Sequence, residues 1–194
     1  MTGRAAELVG RVLDATYAEV AEHGLGALTV EAVAVRAGSS RATVYRHFPG
    51  GRDELVERTI RREVGRFFAE VLDAAPPPAG DLVDHVAGLM AAAHRLLDEH
   101  EVLQRLLVDE ADAIVPSLAL VFPLVEQALA GHLRGLLEQG AGGAVRAGVD
   151  VAGAADHCAR LVLSYVGSPG RWDLDDPAEI RRLVRTHLLA GVLV

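Results

Sequence analysis

Apolar residues recur at intervals of three and four along most of the chain, and short polar, glycine-rich or proline-rich stretches interrupt them. This spacing matches the 3.6-residue turn of an α-helix rather than the two-residue alternation of a strand. Alanine, leucine, valine and arginine dominate the composition, and runs of β-branched residues are short. The pattern therefore predicts an all-α fold of about nine helices.

The first four helices have clear start and stop residues. Gly24 is expected to end helix 1, and Gly38 to end helix 2. Thr29 stands at the N-cap position of helix 2, and Ser39 and Ser40 supply the N-cap of helix 3. A proline run at 76–78 ends helix 4. The predicted spans are 5–23, 30–37, 41–48 and 53–74.

Five further helices follow the proline run. Residues 82–97 and 102–108 form helices 5 and 6, and Asp150 opens helix 8. Pro116 is expected to begin helix 7 and Pro123 to kink it, while Pro177 begins helix 9. The stretches 74–80, 140–148 and 168–176 are expected to be connectors.

The charge is unevenly distributed along the 194 residues, whose formal net charge is −8. Residues 1–66 hold ten arginines against nine acidic residues, whereas residues 67–194 hold nine against eighteen. Eight of the first ten arginines lie within residues 36–66, beside only four acidic residues. This short positive stretch suits contacts with phosphates, and the acidic remainder would repel nucleic acid.

Helices 2 and 3 are short, and only Gly38 and its neighbours separate them, which is the spacing of a helix-turn-helix. In such a unit the second helix enters the major groove of DNA. Residues 28–56, LTVEAVAVRAGSSRATVYRHFPGGRDELV, closely resemble the DNA-binding signature of the TetR family of transcriptional regulators. The matching positions are the turn at 37–38, Ser40, Thr43, Tyr45, His47, Phe48 and the acidic residue and leucine that open helix 4.

The resemblance implies roles for these residues. Thr29 and Tyr45 are expected to contact phosphates; Arg41, Ala42, Thr43 and His47 are expected to face base edges or flanking phosphates. An arginine can bond guanine at two atoms, and a threonine methyl can pack on a thymine methyl. Val44 and Phe48 are assigned to the core. The implied DNA-binding residues are Thr29, Ser39, Ser40, Arg41, Ala42, Thr43, Tyr45, Arg46, His47, Gly51 and Arg52.

The sequence departs from the family pattern at Gly51, where relatives usually carry a lysine that grips a phosphate near the start of helix 4. Two alternatives remain open. Either Arg52 takes over this role, or the Gly51 N–H at the helix N-terminus binds the phosphate directly.

A homodimer is expected because one short recognition helix reads only a few base pairs. Operator specificity then needs two copies about 34 Å apart on one face of the duplex. Helices 8 and 9 carry many apolar residues for exterior helices, so two such pairs are expected to form a four-helix bundle. An intramolecular core role for helix 9 is the alternative. The expected interface residues are Ala154, Cys158, Leu161, Val162, Leu183, His187 and Leu188.

Helices 4 to 7 resemble the ligand-binding region of the family in order and length. The resemblance implies that a small effector shifts helix 4 and so changes the spacing of the recognition helices. An apolar or amphipathic effector is expected; Asp109, Glu110 and Asp112 leave a cationic one open, although a solvated acidic face explains them equally well. The candidate lining residues, each of which a core role would also suit, are Met90, His94, Leu97, Leu106, Phe122, Tyr165 and Trp172.

The resulting prediction is a ligand-responsive repressor with a helix-turn-helix domain at 1–50, a connecting helix at 51–75 and a ligand-binding and dimerisation domain at 76–194. Its partners are double-stranded operator DNA, a small-molecule effector and a second copy. The alternative is a helical small-molecule-binding protein whose helix-turn-helix only braces the fold.

Other classes of protein find little support in the sequence. Catalytic motifs such as HExxH, GxSxG, a P-loop or GxGxxG are missing, so no catalytic residue, metal site or cofactor is expected. Cys158 is the single cysteine, which is consistent with a reducing cytosol. No leader is expected, because the N-terminal residues lack a long apolar stretch, and no membrane span is expected, because Pro116 and Pro123 interrupt the most apolar stretch. A soluble cytoplasmic protein is predicted.

Overall fold

The computed structural model describes residues 3–77, 81–140 and 145–194, and within these ranges the chain is all-helical apart from one isolated bridge between Val145 and Leu193. Parts of two predicted connectors, 78–80 and 141–144, lie outside the described residues. The helices are α1 (Gly3–His23), α2 (Val30–Arg36), α3 (Arg41–His47), α4 (Gly51–Ala74), α5 (Leu82–Asp98), α6 (Glu101–Asp109), α7 (Ala111–Glu138), α8 (Val151–Gly167) and α9 (Pro177–Leu183).

Most predicted boundaries are confirmed within one or two residues, and the caps explain why. The hydroxyl of Thr29 accepts a hydrogen bond from the Ala32 N–H, and that of Ser40 accepts one from the Thr43 N–H. The Asp176 carboxylate likewise accepts from the Ala178 N–H just inside α9. Asp150 precedes α8 as predicted, but its side chain makes no capping bond.

Two predictions about the C-terminal helices are wrong in detail. Helix α7 begins at Ala111 rather than at Pro116, so the proline lies inside the helix. After Leu183 the chain winds into a π-helical turn over Val184–Leu188, in which the Leu189 N–H bonds the Val184 carbonyl. This wider turn ends the regular periodicity that the sequence predicted for helix 9.

The chain forms two compact units, each built from two segments. Residues 3–66 and 101–121 form the first, and the described parts of 67–100 and 122–194 form the second. The chain passes between them inside α4, inside α7 and between α5 and α6. These two units are defined by which residues contact one another and not by what they do. The predicted functional division at residues 50 and 75 therefore stays a prediction.

The first unit packs α1 to α3, the start of α4, α6 and the start of α7 around one apolar core. Val44 and Phe48 are completely buried there, as predicted, and Leu106 and Ile114 join the same cluster. The Glu110 carboxylate also binds the α1–α2 connection, accepting hydrogen bonds from the Leu25 N–H at 2.9 Å and the Gly26 N–H at 2.6 Å. One acidic side chain thus fixes the loop that leads into α2.

The second unit has a larger core, formed by α5, α8, α9, the π turn and the ends of α4 and α7. Met90, Ile180 and Leu183 are among its most deeply buried side chains. By length and composition alone α7 could cross a membrane. Its Leu129 and Leu133 lie in this core, and 22% of its most apolar 18-residue window is buried.

A histidine pair, with His85 buried and His132 half-buried, joins α5 and α7 inside the second unit. His85 Nδ1 lies 2.6 Å from the Pro76 carbonyl oxygen, and His85 Nε2 lies 2.9 Å from His132 Nε2. A carbonyl can only accept, so His85 carries its hydrogen on Nδ1 and His132 donates through Nε2. Burial, followed by the influence of His85, lowers the pKa of His132.

We expect the protein to lose stability in mild acid partly through His132. Because the pKa of His132 is lower in the folded chain than in the unfolded chain, protonation favours unfolding. The contribution is absent well above about pH 6.5, the ordinary value for histidine, and grows as the pH falls through it. Between pH 8 and pH 5, the melting temperature should fall less in His132→Gln than in wild type. The control is His157→Gln, on an exposed part of α8, which should leave the fall in melting temperature as large as in wild type. An equal fall in wild type and His132→Gln would contradict the assignment to His132.

We also expect Glu110→Ala to lower the free energy of unfolding by about 1–3 kcal/mol, because two N–H groups lose a charged acceptor. Asp109→Ala, at the exposed neighbouring position, is the control and should change it little. A Cβ at Gly24 would collide with Glu110 Oε1, and the φ of Gly24 is +85°. Gly24→Ala should therefore lower the free energy of unfolding less in the Glu110→Ala background than in wild type. If chemical denaturation shows that the losses of unfolding free energy from the two substitutions simply add, the carboxylate does not hold this loop.

Candidate nucleic-acid interface

The turn between α2 and α3 has the geometry that a helix-turn-helix requires. The Ser39 N–H bonds the Ala34 carbonyl at 2.9 Å, and the Gly38 N–H bonds the Val35 carbonyl at 3.1 Å. These two bonds form a Schellman motif, with Gly38 in the left-handed region at φ +61°. The chain then enters α3 after only two more residues. Glycine is favoured at position 38 because a Cβ there would be strained.

The predicted DNA-binding residues lie together in the first unit, on and beside α3. Val44 and Phe48 face the core, and the opposite side of the helix is open to solvent. Tyr45 is 42% exposed, while Thr43 and His47 are half-buried. The exposed members of the predicted set are Thr29, Ser40, Arg41, Ala42, Tyr45 and Arg46. The side chain of Ser39 is half-buried.

Gly51 is buried rather than presented to solvent. Its φ is +64°, and a Cβ there would meet the Tyr45 ring at 3.2 Å. Its N–H donates to the Phe48 carbonyl at 2.9 Å, so this hydrogen is already bonded within the protein. A lysine at this position would be strained and would crowd Tyr45. The Gly51 N–H was one of the two alternatives for the missing lysine. It already has a hydrogen-bond partner inside the protein, so it is not free to bind a phosphate.

Arg52, the other alternative, ties α4 to the α1–α2 connection. Its Nε donates to the Leu28 carbonyl at 3.2 Å and its Nη2 to the Leu25 carbonyl at 2.8 Å. Its Nη1 lies 3.6 Å from the Asp53 carboxylate. Two of its three nitrogen atoms are thus bound to backbone oxygen, which gives this arginine a structural task that the sequence did not reveal.

Arg58 performs a related task at the other end of α3. Its guanidinium lies 4.4 Å from the centre of the Phe48 ring, donates to the His47 carbonyl at 3.2 Å and pairs with Glu54 at 3.4 Å. Glu54 also accepts a hydrogen bond from the Gly50 N–H at 2.9 Å. These contacts fix the C-terminus of α3 against the start of α4.

The positive stretch at 36–66 is largely neutralised by contacts within the protein. Arg36 binds Glu22 and Glu19 on α1, and the hydrogen bond to Glu22 is the main reason that its pKa is raised. Among the described residues, only Arg46 of these eight arginines has no carboxylate or carbonyl partner. The partnered arginines are Arg36, Arg41, Arg52, Arg58, Arg61, Arg62 and Arg66. The charge available to phosphates is therefore smaller than the composition suggested.

The predicted ligand-binding residues lie in different surroundings within their own units, and their binding role stays a prediction. Leu106 belongs to the core of the first unit, while Met90 is completely buried in the core of the second. Phe122 is 54% exposed on α7. His94, Leu97 and Tyr165 are half-buried in the second unit, where the His94 ring approaches Asp98 at 3.7 Å. Trp172 lines a surface cavity beside α9.

The predicted dimer residues divide between the core and the surface. Cys158, Val162, Leu183 and Leu188 are buried within the second unit of a single chain. The Cys158 thiol donates to the Leu188 carbonyl at 3.2 Å, and burial raises its pKa to about 11. Ala154 and Leu161 are half-buried. His187 is exposed, because the π turn moves it off the buried stripe.

We expect Arg52→Ala to lower the free energy of unfolding by about 1–3 kcal/mol, because two carbonyls lose a charged donor. Arg61→Ala, which removes only an exposed pair with Glu57 on the same helix, should cost less than about 0.5 kcal/mol. Because the guanidinium is bonded within the protein, Arg52→Ala should leave the salt dependence of DNA binding unchanged. A reduction of the slope by about one would instead assign Arg52 to a phosphate.

Comparison with known proteins agrees with this geometry. Residues 12–59, which include α2, α3 and the start of α4, match the family model described as bacterial regulatory proteins, tetR family. The HTH-type transcriptional repressor KstR2 of Mycobacterium tuberculosis is 30% identical over 105 residues, which is 54% of this chain and 52% of KstR2. The chain thus matches about half the length of the curated relatives.

Solved structures of low sequence identity share the fold over nearly the whole chain. The transcriptional repressor QsdR of R. erythropolis, described as from the TetR family, has a TM-score of 0.63 and 18% identity, with 97% of both chains covered. A complex of SmeT with triclosan has a TM-score of 0.58 and 22% identity, covering 97% of this chain and 92% of that one; SmeT represses a multidrug efflux pump of Stenotrophomonas maltophilia. Together, these findings show that residues 12–59 match the tetR family of bacterial regulatory proteins, within a helical fold that these solved structures share.

Proposed function

We propose that this protein is a sequence-specific DNA-binding transcriptional regulator that acts as a repressor in the cytoplasm. The observation that carries the proposal is the orientation of α3: Val44 and Phe48 anchor one side of the helix in the core, while Arg41, Ala42 and Tyr45 remain exposed on the other. The exposed side carries the residue types that read base edges and bind phosphates.

Individual contacts follow from the chemistry of this surface. Arg46 has no partner among the described residues, which suits a contact with a phosphate. Arg41 pairs with Glu31 at 3.0 Å, but both side chains are more than half exposed, so the arginine can exchange this partner for a guanine edge at little cost. Ser40 and Thr43 share a hydrogen bond at the start of α3, where hydroxyls suit a phosphate. Thr29, Ser39 and His47 complete the proposed set, whereas Gly51 and Arg52, which are bonded within the protein, are proposed to hold the start of α4 in place.

The regulator is proposed to act as a homodimer. A seven-residue recognition helix spans too few base pairs to specify one operator, so two copies about 34 Å apart are required. Helices α8 and α9 remain the proposed dimer elements. Their buried Cys158, Val162, Leu183 and Leu188 would support the surface from within, and their exposed residues would meet the partner.

Release from DNA is proposed to depend on an apolar or amphipathic effector held in the second unit. SmeT, which shares the fold, holds triclosan, so this architecture is compatible with a small apolar ligand. Helix α4 contributes Leu55 to the core of the first unit and Val71 to the core of the second. It is therefore the proposed route by which an effector alters α3, provided that the effector prefers one of two states.

Selection of bound duplexes from a random library tests DNA recognition even though the operator sequence is unknown. We expect an inverted repeat whose half-sites are centred about one helical turn apart, or a multiple of it, and a dimer in solution by light scattering. A monomer, or the absence of any enriched sequence, would overturn the proposal and favour a helical small-molecule-binding protein.

Arg46→Ala should weaken binding to the selected duplex and to unrelated duplexes alike. It should also reduce the slope of log affinity against log salt by about one, because one phosphate contact is lost. Arg134→Ala is the matched control, since this arginine is exposed on α7, far along the chain from α3, and has no partner among the described residues. Equal effects of the two substitutions would place Arg46 outside the interface.

A further inference from the structure

The first half of α7 exposes a surface made almost entirely of apolar residues. Residues 113–125 contain no charged side chain and one polar side chain, that of Ser117. Only Ile114 and Val121 of this stretch are buried. The exposed residues, which we call the α7 apolar surface, are Ala113, Val115, Pro116, Ala119, Leu120, Phe122, Pro123 and Leu124. Soluble monomers rarely expose contiguous apolar patches of more than a few hundred Å², and larger patches mark interaction surfaces.

Four large side chains dominate the α7 apolar surface. Val115, Leu120, Phe122 and Leu124 are between 44% and 64% exposed. Leu120 and Leu124 are four residues apart, so they are neighbours on one side of the helix. The buried centre of a protein–protein interface is rich in aromatic side chains and poor in charged ones. The α7 apolar surface has this composition.

The two helices already proposed for the dimer lack such side chains on their exposed sides. The structure describes α8 and α9 in full, and neither exposes a large apolar side chain. Their exposed residues include Asp156 and Arg160 on α8 and Arg181 and Arg182 on α9. Charged residues belong to the rim of an interface rather than to its centre. The proposed dimer therefore needs an apolar centre that another element supplies.

The α7 apolar surface borders the exposed side of α8 within the second unit. Glu126 on α7 binds Arg160 on α8 at 2.6 Å, and the Arg160 side chain is 71% exposed. Phe122 precedes Glu126 by four residues, so the two lie one turn apart on the same side of α7. The apolar surface is thus continuous with the side of α8 that is proposed to meet the partner.

The charges along α7 favour a second copy of this chain as the occupant. In a twofold contact the same patch meets itself, so a charged residue near the axis meets its like. Residues 113–125 carry no charge, and contact between two copies meets no such repulsion. A membrane with anionic lipids is a poorer occupant, because Asp109, Asp112 and Glu126 flank the stretch with negative charge.

We propose that the α7 apolar surface forms the hydrophobic centre of the homodimer interface, with Leu120 and Phe122 as its main contacts. The exposed side of α8 then supplies part of the polar rim. This proposal deepens the homodimer put forward above and rests on it. It names α7, rather than α8 and α9, as the element on which the strength of the dimer chiefly depends.

The double variant Leu120→Gln/Phe122→Gln should raise the dimer dissociation constant at least about thirtyfold, because two central side chains lose their apolar contacts. Sedimentation at a series of concentrations measures this constant. Helix content should stay as in wild type, since both side chains are exposed in the single chain. Val35→Gln is the matched control, because Val35 is an exposed apolar residue on α2, and it should leave the constant unchanged.

The outcomes separate this proposal from the function on which it rests. An unchanged dissociation constant in the double variant would overturn the role of α7 and leave a dimer formed by other elements. A wild-type chain that is monomeric at all concentrations would overturn the homodimer itself, and the role of α7 with it.

Labelling of an added cysteine tests coverage of the surface without removing a large side chain. Ala119 is exposed between Val115 and Phe122, and the native Cys158 is buried. In Ala119→Cys, a maleimide should react at least about tenfold more slowly above the dimer dissociation constant than below it, because the partner shields the thiol. Val35→Cys should react at the same rate at both concentrations. Equal rates for Ala119→Cys would overturn the proposal even if the double variant failed to fold.

Flotation with vesicles of phosphatidylcholine and phosphatidylglycerol tests the membrane alternative. The wild-type protein should stay at the bottom of the density gradient. Flotation of wild type that is lost in Leu120→Gln/Phe122→Gln would assign the surface to a membrane and overturn the proposal.

Discussion

The first unit depends on how a helix too short to be stable alone is held in place. Seven residues make about two turns, and in water such a segment would be mostly unfolded. Burial of Val44 and Phe48 anchors α3 on one side, and Arg58 closes over Phe48 while it binds the last carbonyl of the helix. The exposed face of α3 is rigid because its other face and its end are fixed.

The same need explains how the arginines are used. A guanidinium can bind several oxygen atoms at once, so Arg52 can join α4 to two carbonyls of one loop, and Arg62 can join α4 to the Gly10 carbonyl and to Asp14 on α1. Most of the positive charge in this part of the chain therefore stabilises the protein that presents α3. Under the proposed function, specific contacts rather than a broad positive field would provide most of the selectivity for DNA.

Helix boundaries and the turn between α2 and α3 could be predicted because their causes are local. Thr29 and Ser40 cap the N-termini of α2 and α3, and Gly38 ends α2, so the backbone groups left unpaired at these helix ends find hydrogen-bond partners close in sequence. The partners of Arg52 and the burial of Gly51 could not be predicted, since both depend on the approach of segments distant in sequence. The π turn was also missed: a repeating apolar pattern gives no sign of one extra residue in a turn, and that residue moves His187 from a buried to an exposed position. The candidate ligand residues stay a prediction, because neither residue type nor helix order distinguishes a cavity wall from a core.

The histidine pair also determines where a proton can be added. His85 gives its only hydrogen to Pro76 and uses its remaining lone pair to accept from His132. The 5.2 Å between the ring centroids is what this bond plus the two ring radii require, so the nitrogen atoms point at each other. An added proton can enter only at Nδ1 of His132 if the chain of bonds is to survive. Acid therefore acts on this pair through the half-buried ring, at the nitrogen that takes no part in the bond between the two histidines.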